Sequence, residues 1–108
     1  MSYNKVTAIV RRDILEKVEC RLREIGVKGI SVTKVKGYGE YADFYTSDWM
    51  VPHARIEIFT AVERAEEVAG AIMDAARLGM AGDGIVAILP VEKLYRIRTR
   101  SAAEADEL

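Results

Sequence analysis

Cysteine, proline and histidine are scarce in this chain of 108 residues, which holds one Cys, two Pro and one His. The single Cys20 cannot close an intramolecular disulfide. It stands between Glu19 and Arg21 in a helical pattern, where an ordinary thiol is a simpler reading than a redox centre. His53 and the scattered Asp43, Asp48 and Asp83 have no ligand spacing, so no dedicated metal set is assigned. A strong charge of either sign is also missing. Sixteen basic residues against 17 acidic ones give a formal net charge of −1, and no broad field draws the chain to nucleic acid. No apolar run reaches the roughly 18 residues of a membrane helix, and no charged-then-apolar leader opens the chain. The expectation is a cytoplasmic protein without direct membrane insertion. Nor does a nucleophile stand beside a recognisable base: Ser31 and Ser47 lack an activating histidine and no carboxylate pair stands out. No catalytic residue is assigned, and an enzyme is not expected.

What is present is apolar periodicity. Half of the residues are hydrophobic, enough for one small core in a single domain spanning 1–108, and a core of this size gains from association with further copies. Val6, Ala8 and Val10 alternate with Thr7 and Ile9 as in a buried strand. Asp13 to Glu16 resembles a capping box, and Ile14, Leu15, Val18, Leu22 and Ile25 then recur at helical spacing until Gly26. Ile30 to Gly39 and Arg55 to Thr60 read as strands through their β-branched and alternating residues. Thr60 and Glu63 form a second capping-box pattern, before Ala65, Val68, Ala69, Ile72, Met73 and Ala76 repeat helically up to Gly79. Ile85 to Leu89 is a compact apolar strand, with Leu94 to Thr99 as a short extension. The order is βαββαβ, the α+β ferredoxin-like sandwich, with two helices on one face of an antiparallel sheet and the other face open to solvent, ligand or identical subunits. The acidic tail 101–108 has little apolar surface and is expected to be mobile.

Two places allow backbone amides to approach an anion: Gly37 and Gly39 at the end of one strand, and Gly82-Asp83-Gly84 before another. Gly82 to Gly84 leads from a helix into a strand, which excludes the Rossmann and Walker arrangements. On spacing alone it is equally an ordinary αβ turn. Arg96, Arg98 and Arg100 fall at alternate positions, so an extended segment would project them as a row of forked donors. Such a row suits phosphate oxygens, or simply makes a solvated cationic strand end. Arg11 and Arg12 could serve the same cleft or coat the surface.

Four blocks stand far apart yet in one order: Val35-Lys36-Gly37-Tyr38-Gly39, Pro52-His53-Ala54-Arg55-Ile56-Glu57-Ile58, Gly82-Asp83-Gly84 and Arg96-Ile97-Arg98-Thr99. Taken together they resemble a divergent member of the PII family of nitrogen regulatory signalling proteins, across nearly the whole chain. The resemblance implies a PII-like homotrimer with adenine nucleotides between neighbouring subunits. Gly37, Glu57, Gly82, Asp83 and Gly84 match one side of that site, and Gly29, Ile30, Ser31, Arg96 and Arg98 match the other. By resemblance, Arg96 and Arg98 grip phosphates, Gly82 to Gly84 cradle them, and Ile9, Glu57 and Phe59 lie near the base or ribose.

The chain also departs from the family pattern. Ile85 stands where a lysine usually follows Gly-Asp-Gly, and Glu40-Tyr41 stands where Arg-Gln is common. Losing one charged hydrogen bond costs on the order of 1.5 to 3 kcal/mol, roughly ten- to a hundredfold in affinity. ADP or AMP is therefore expected to compete well with ATP. The family's 2-oxoglutarate response depends on that glutamine and on a lysine where His53 stands. The loop 40–51 is shorter than usual and lacks the tyrosine motif that carries nucleotidylation in enteric members. It concentrates Tyr41, Phe44, Tyr45 and Trp49, aromatics that would either anchor a partner, such as a membrane transporter or metabolic enzyme, or pack against the trimer itself. Some divergent PII-like proteins bind bicarbonate beside AMP or ADP, and the shortened loop fits that variant too. Two other readings compete. One is a nucleotide-independent ferredoxin-like trimer serving as an interaction or metal-tolerance module. The other is an RNA-binding βαββαβ domain, disfavoured by the missing aromatic and basic sheet motif.

Overall fold

Strand β1 (Tyr3–Arg11) is built by alternation: Val6, Ala8 and Val10 are buried against the helices, while Lys5, Thr7 and Ile9 lie half-buried on the opposite face. The computed structural model describes residues 2–37 and 51–104, so Tyr41, Phe44, Tyr45 and Trp49 and the end 105–108 lie outside the described residues. A 3-10 turn at Arg12–Ile14 leads directly into α1 (Leu15–Glu24), which buries Val18 and Leu22. The capping box expected at Asp13 does not form, because Asp13 sits inside that turn and the residue before α1, Ile14, is already helical. The helix ends at Gly26 as expected. Its φ of +89° allows its N–H to reach the Arg23 carbonyl at 3.1 Å and that of Val27 to reach Leu22 at 3.0 Å.

Strands β2 (Ser31–Gly37) and β3 (Val51–Ala61) pair antiparallel, and β3 starts four residues before the Arg55 expected from alternation. Pro52 is tolerated because β1 begins to pair with β3 only at His53, so Pro52 has a neighbour on one side alone. Helix α2 (Val62–Ala76) follows at once. Thr60 does not cap it, since the Thr60 side chain is buried in β3 and the extended residue before the helix is Ala61. Ala65, Val68, Ala69, Ile72 and Ala76 face the core, whereas Met73 is exposed rather than buried with them. The Arg64 guanidinium donates to the Ile25 carbonyl, tying α2 to the end of α1.

Strand β4 (Gly84–Val91) completes a sheet in the order β2-β3-β1-β4, with every neighbouring pair antiparallel. Both helices cover the face formed by Val6, Val10, Ile56 and Ile58. This is the ferredoxin-like α+β fold. On the open face β4 leaves Ile85 and Leu89 exposed, and β3 leaves Phe59 exposed.

The C-terminal segment differs from the sequence expectation. Only Tyr95–Arg96 (β5) is extended, and it pairs with Ser101–Ala102 (β6). Between them the chain turns, with Arg100 at φ +56° and its N–H bonded to the Arg96 carbonyl at 2.9 Å. The arginines therefore do not form an alternating row: Arg96 is in a strand, and Arg98 and Arg100 are in the turn. Residues 101–103, expected to be mobile, are paired instead, because Ala103 is buried and its carbonyl accepts from the Tyr3 hydroxyl.

Leu22 is fully buried between the helices and the sheet, so Leu22→Ala is expected to lower the unfolding free energy by about 2–5 kcal/mol. The exposed Cys20→Ala should change it by under about 0.5 kcal/mol. Urea titrations of both variants check the contrast.

Candidate functional site

Gly82, Asp83 and Gly84 lie at the end of the sheet where β1 ends and β4 begins. Gly84 takes φ +108° there, and a Cβ on it would lie 1.8 Å from the Ile9 carbonyl oxygen. No other residue type fits this approach without moving β1. Asp83, one position earlier, turns its carboxylate inward. One oxygen accepts from the N–H groups of Leu78 at 2.9 Å, Gly79 at 2.9 Å and Met80 at 3.2 Å, bracing the segment that leaves α2. Desolvation pushes the Asp83 pKa up, but the three backbone bonds and the Arg11 guanidinium outweigh it, and the carboxyl lies below its ordinary value.

Arg11 and His53 enter this place from the end of β1 and the start of β3, as direct cross-strand partners. The Arg11 guanidinium packs against Gly82, where a Cβ would stand 2.5 Å from its Nη2. Its Nε is 3.6 Å from the second Asp83 oxygen, an ion pair too long for a hydrogen bond. Both atoms are buried without a hydrogen-bond partner among the described residues. His53 lies in an inner strand, 1% exposed, with Nε2 3.3 Å from the Gly82 carbonyl oxygen. Among the described residues no group of three or more His, Cys, Asp or Glu is placed to hold a metal ion.

On the open face, Ile9, Glu57 and Ile85 line a depression of about 290 Å³ together with Lys5, Thr7 and Arg55. The Glu57 carboxylate is shared between Lys5 at 3.2 Å and Arg55 at 3.3 Å. Phe59 lies next along β3, opposite Lys5. Ile85 is the cross-strand partner of Ile9, so the place of the missing lysine is an apolar pair. Ser31 is the direct partner of Glu57, which brings these two together within one chain. Gly29 and Ile30 line a different depression of about 430 Å³ at the β2 edge, beside α1. Gly37 pairs with Val51 at the same end of the sheet as His53.

Arg96 and Arg98 are not brought to Gly82–Gly84. Their β5–β6 ribbon is tied to Tyr3 at the start of β1, and Gly84 meets the other end of that nine-residue strand. At roughly 3.3 Å per residue the two anchor points are about 25 Å apart. Sequence reasoning also left undecided what Arg11 does and missed the burial of His53. The parity of Arg11 with Lys5, Thr7 and Ile9 was the available signal for its placement on the open face.

Element order and sheet order together define a small α+β domain of the ferredoxin-like class. The chain matches the sequence model of the family described as Nitrogen regulatory protein P-II over residues 3–101. It is 37% identical over 102 residues to the P-II protein of Rhizobium meliloti, covering 88% of this chain and 91% of that one. To Nitrogen regulatory protein GlnK of Escherichia coli K12 it is 35% identical over 107 residues, covering 93% and 96%. Among solved structures, Arabidopsis thaliana PII bound to citrate superposes with a TM-score of 0.82 at 35% identity, covering 95% of this chain and 90% of that one. The chain belongs to the P-II family of nitrogen regulatory signalling proteins. Nucleotide binding and the regulation of partner proteins are general properties of that family.

The depressed Asp83 carboxyl gives a pH dependence. Its bonds stabilise the fold fully above the unfolded carboxyl value of about 3.9, and this contribution is lost as pH falls through the lower folded value. The stability gap between the protein and Asp83→Asn is therefore expected to be constant near neutrality and to shrink below about pH 4. Thermal melts from pH 7 to pH 3 read the gap.

Proposed function

We propose that three copies of this chain form a homotrimer in the cytoplasm that binds ADP, AMP or ATP in clefts between subunits. Through the 40–51 loop the nucleotide-bound trimer regulates a membrane transporter or metabolic enzyme. A small anion such as bicarbonate acts as co-ligand. It is a sensor, not a catalyst.

The observation that carries this reading is the separation of the two phosphate-binding elements along β1. Gly82–Gly84 and Arg11 lie at one end, and the ribbon with Arg96 and Arg98 is tied down at the other. One chain keeps them apart, so a second copy must bring its ribbon to the glycine segment of the first. The exposed Phe59, Ile85 and Leu89 supply apolar surface on the sheet face for such an assembly. Within the cleft, Gly82–Gly84 and Gly37 cradle phosphates, and Ile9, Glu57 and Phe59 lie by the base and ribose. Gly29, Ile30 and Ser31 complete the site from the neighbouring subunit, together with Arg96 and Arg98. The apolar Ile9–Ile85 pair leaves a γ-phosphate without its usual lysine, which favours ADP and AMP relative to ATP.

Calorimetric titration with ADP, AMP and ATP, each with and without bicarbonate or 2-oxoglutarate, tests the reading. Arg98→Ala is expected to weaken ADP binding roughly ten- to a hundredfold while sedimentation still reports a trimer. An unchanged titration removes Arg98 from the site. No heat with any nucleotide leaves the ligand-independent trimeric module as the better account.

A further inference from the structure

The β5–β6 ribbon has two residues in each strand, far too little pairing to hold a shape alone. Its own bonds nevertheless make residues 94–103 one unit. The Ala103 N–H donates to the Leu94 carbonyl at 3.0 Å, the Arg100 N–H donates to the Arg96 carbonyl at 2.9 Å, and the Thr99 and Ser101 hydroxyls are 2.8 Å apart. Ala103 is therefore the point where both ends of the unit meet. It is also where the unit is fastened to the body of the protein. Ala103 is 8% exposed, and its carbonyl accepts the hydroxyl of Tyr3, a residue 100 positions away in sequence.

Tyr3 is suited to act as the fixed side of this latch. It is 6% exposed and lies in β1, a central strand, between cross-strand partners Ala61 of β3 and Val91 of β4. The hydroxyl is thus held by the most extensively paired element of the fold. We infer that Tyr3 is a positioning residue for phosphate recognition: its bond to Ala103 sets the orientation of the ribbon that carries Arg96 and Arg98. This rests on the proposed nucleotide site and adds to it a residue that touches no nucleotide.

Tyr3→Phe keeps the ring and removes only the hydroxyl. The ribbon then swings more freely, and the arginines lose pre-ordering toward phosphate but not toward a base or ribose. ADP affinity is expected to fall roughly 3- to 10-fold, from the net worth of one hydrogen bond, with adenosine binding unchanged. The double variant Tyr3→Phe with Arg98→Ala should lose less ADP affinity than the two single losses combined, since part of the effect of Tyr3 runs through Arg98. Amide exchange at Arg100 and Ala103 should quicken in Tyr3→Phe, while that of buried α2 residues stays as it was and certifies the fold. Equal ADP affinity in Tyr3→Phe and the unchanged protein overturns the inference. So do equal losses for ADP and adenosine, fully additive effects in the double variant, or exchange at Ala103 that does not change. A failure of the underlying reading looks different: the unchanged protein itself gives no ADP binding, which overturns both.

Discussion

The close approach of Gly84 to the Ile9 carbonyl is the constraint on which the candidate site depends. It lets β4 start flush against the end of β1, with no room for a Cβ between the two backbones. Because β4 starts there, Asp83 falls where its carboxylate can reach the amides of Leu78, Gly79 and Met80. Gly82 then falls between the Arg11 guanidinium and His53, whose Nε2 lies 3.3 Å from the Gly82 carbonyl oxygen. Three strand ends and the exit of α2 are thus locked by one backbone contact. In the proposed site that rigidity would serve binding, since amides already fixed in position have less ordering entropy to lose when an anion arrives.

Charge around the site is arranged more for geometry than for attraction. The Lys5–Glu57–Arg55 group is partly exposed, and such pairs are each worth about 0–1 kcal/mol. Its effect is to orient Glu57 on the open face between two cations. Arg11 is different, being largely buried, near Asp83 but without a hydrogen bond at Nε. In the proposed site it is a cation close to the glycine segment, in a chain whose residue 85 is apolar.

Much of the fold was legible because alternation and helical spacing point the same way. Val6, Ala8 and Val10 on β1, Val18 and Leu22 on α1, and Val68 and Ile72 on α2 all face the core as their spacing requires. Both capping boxes misled, since a 3-10 turn absorbed Asp13 and strand pairing carried Thr60 into the core. The arginine row misled for a related reason. Alternation at 96, 98 and 100 implies an extended strand only if the backbone extends, and a hydrogen-bonded turn intervenes. Ala103 gave no sign in sequence of being buried, because its burial is created by Tyr3 at the far end of the chain. In the candidate site, Gly82 to Gly84 stood out by residue type. His53 did not, for a lone histidine carries no mark of the carbonyl it will meet.

In the proposed trimer the glycine segment and the arginine ribbon of one nucleotide site come from different copies of the chain. Co-assembly of two variants tests it directly. Glu57→Ala damages one side of every site and Arg98→Ala the other, so each variant alone is expected to bind ADP weakly. If the site is shared, mixed trimers contain clefts in which both sides are intact, and strong ADP binding returns at a fraction of the sites. If mixed trimers form and ADP binding stays as weak as in the separate variants, each chain binds nucleotide by itself and the account is wrong.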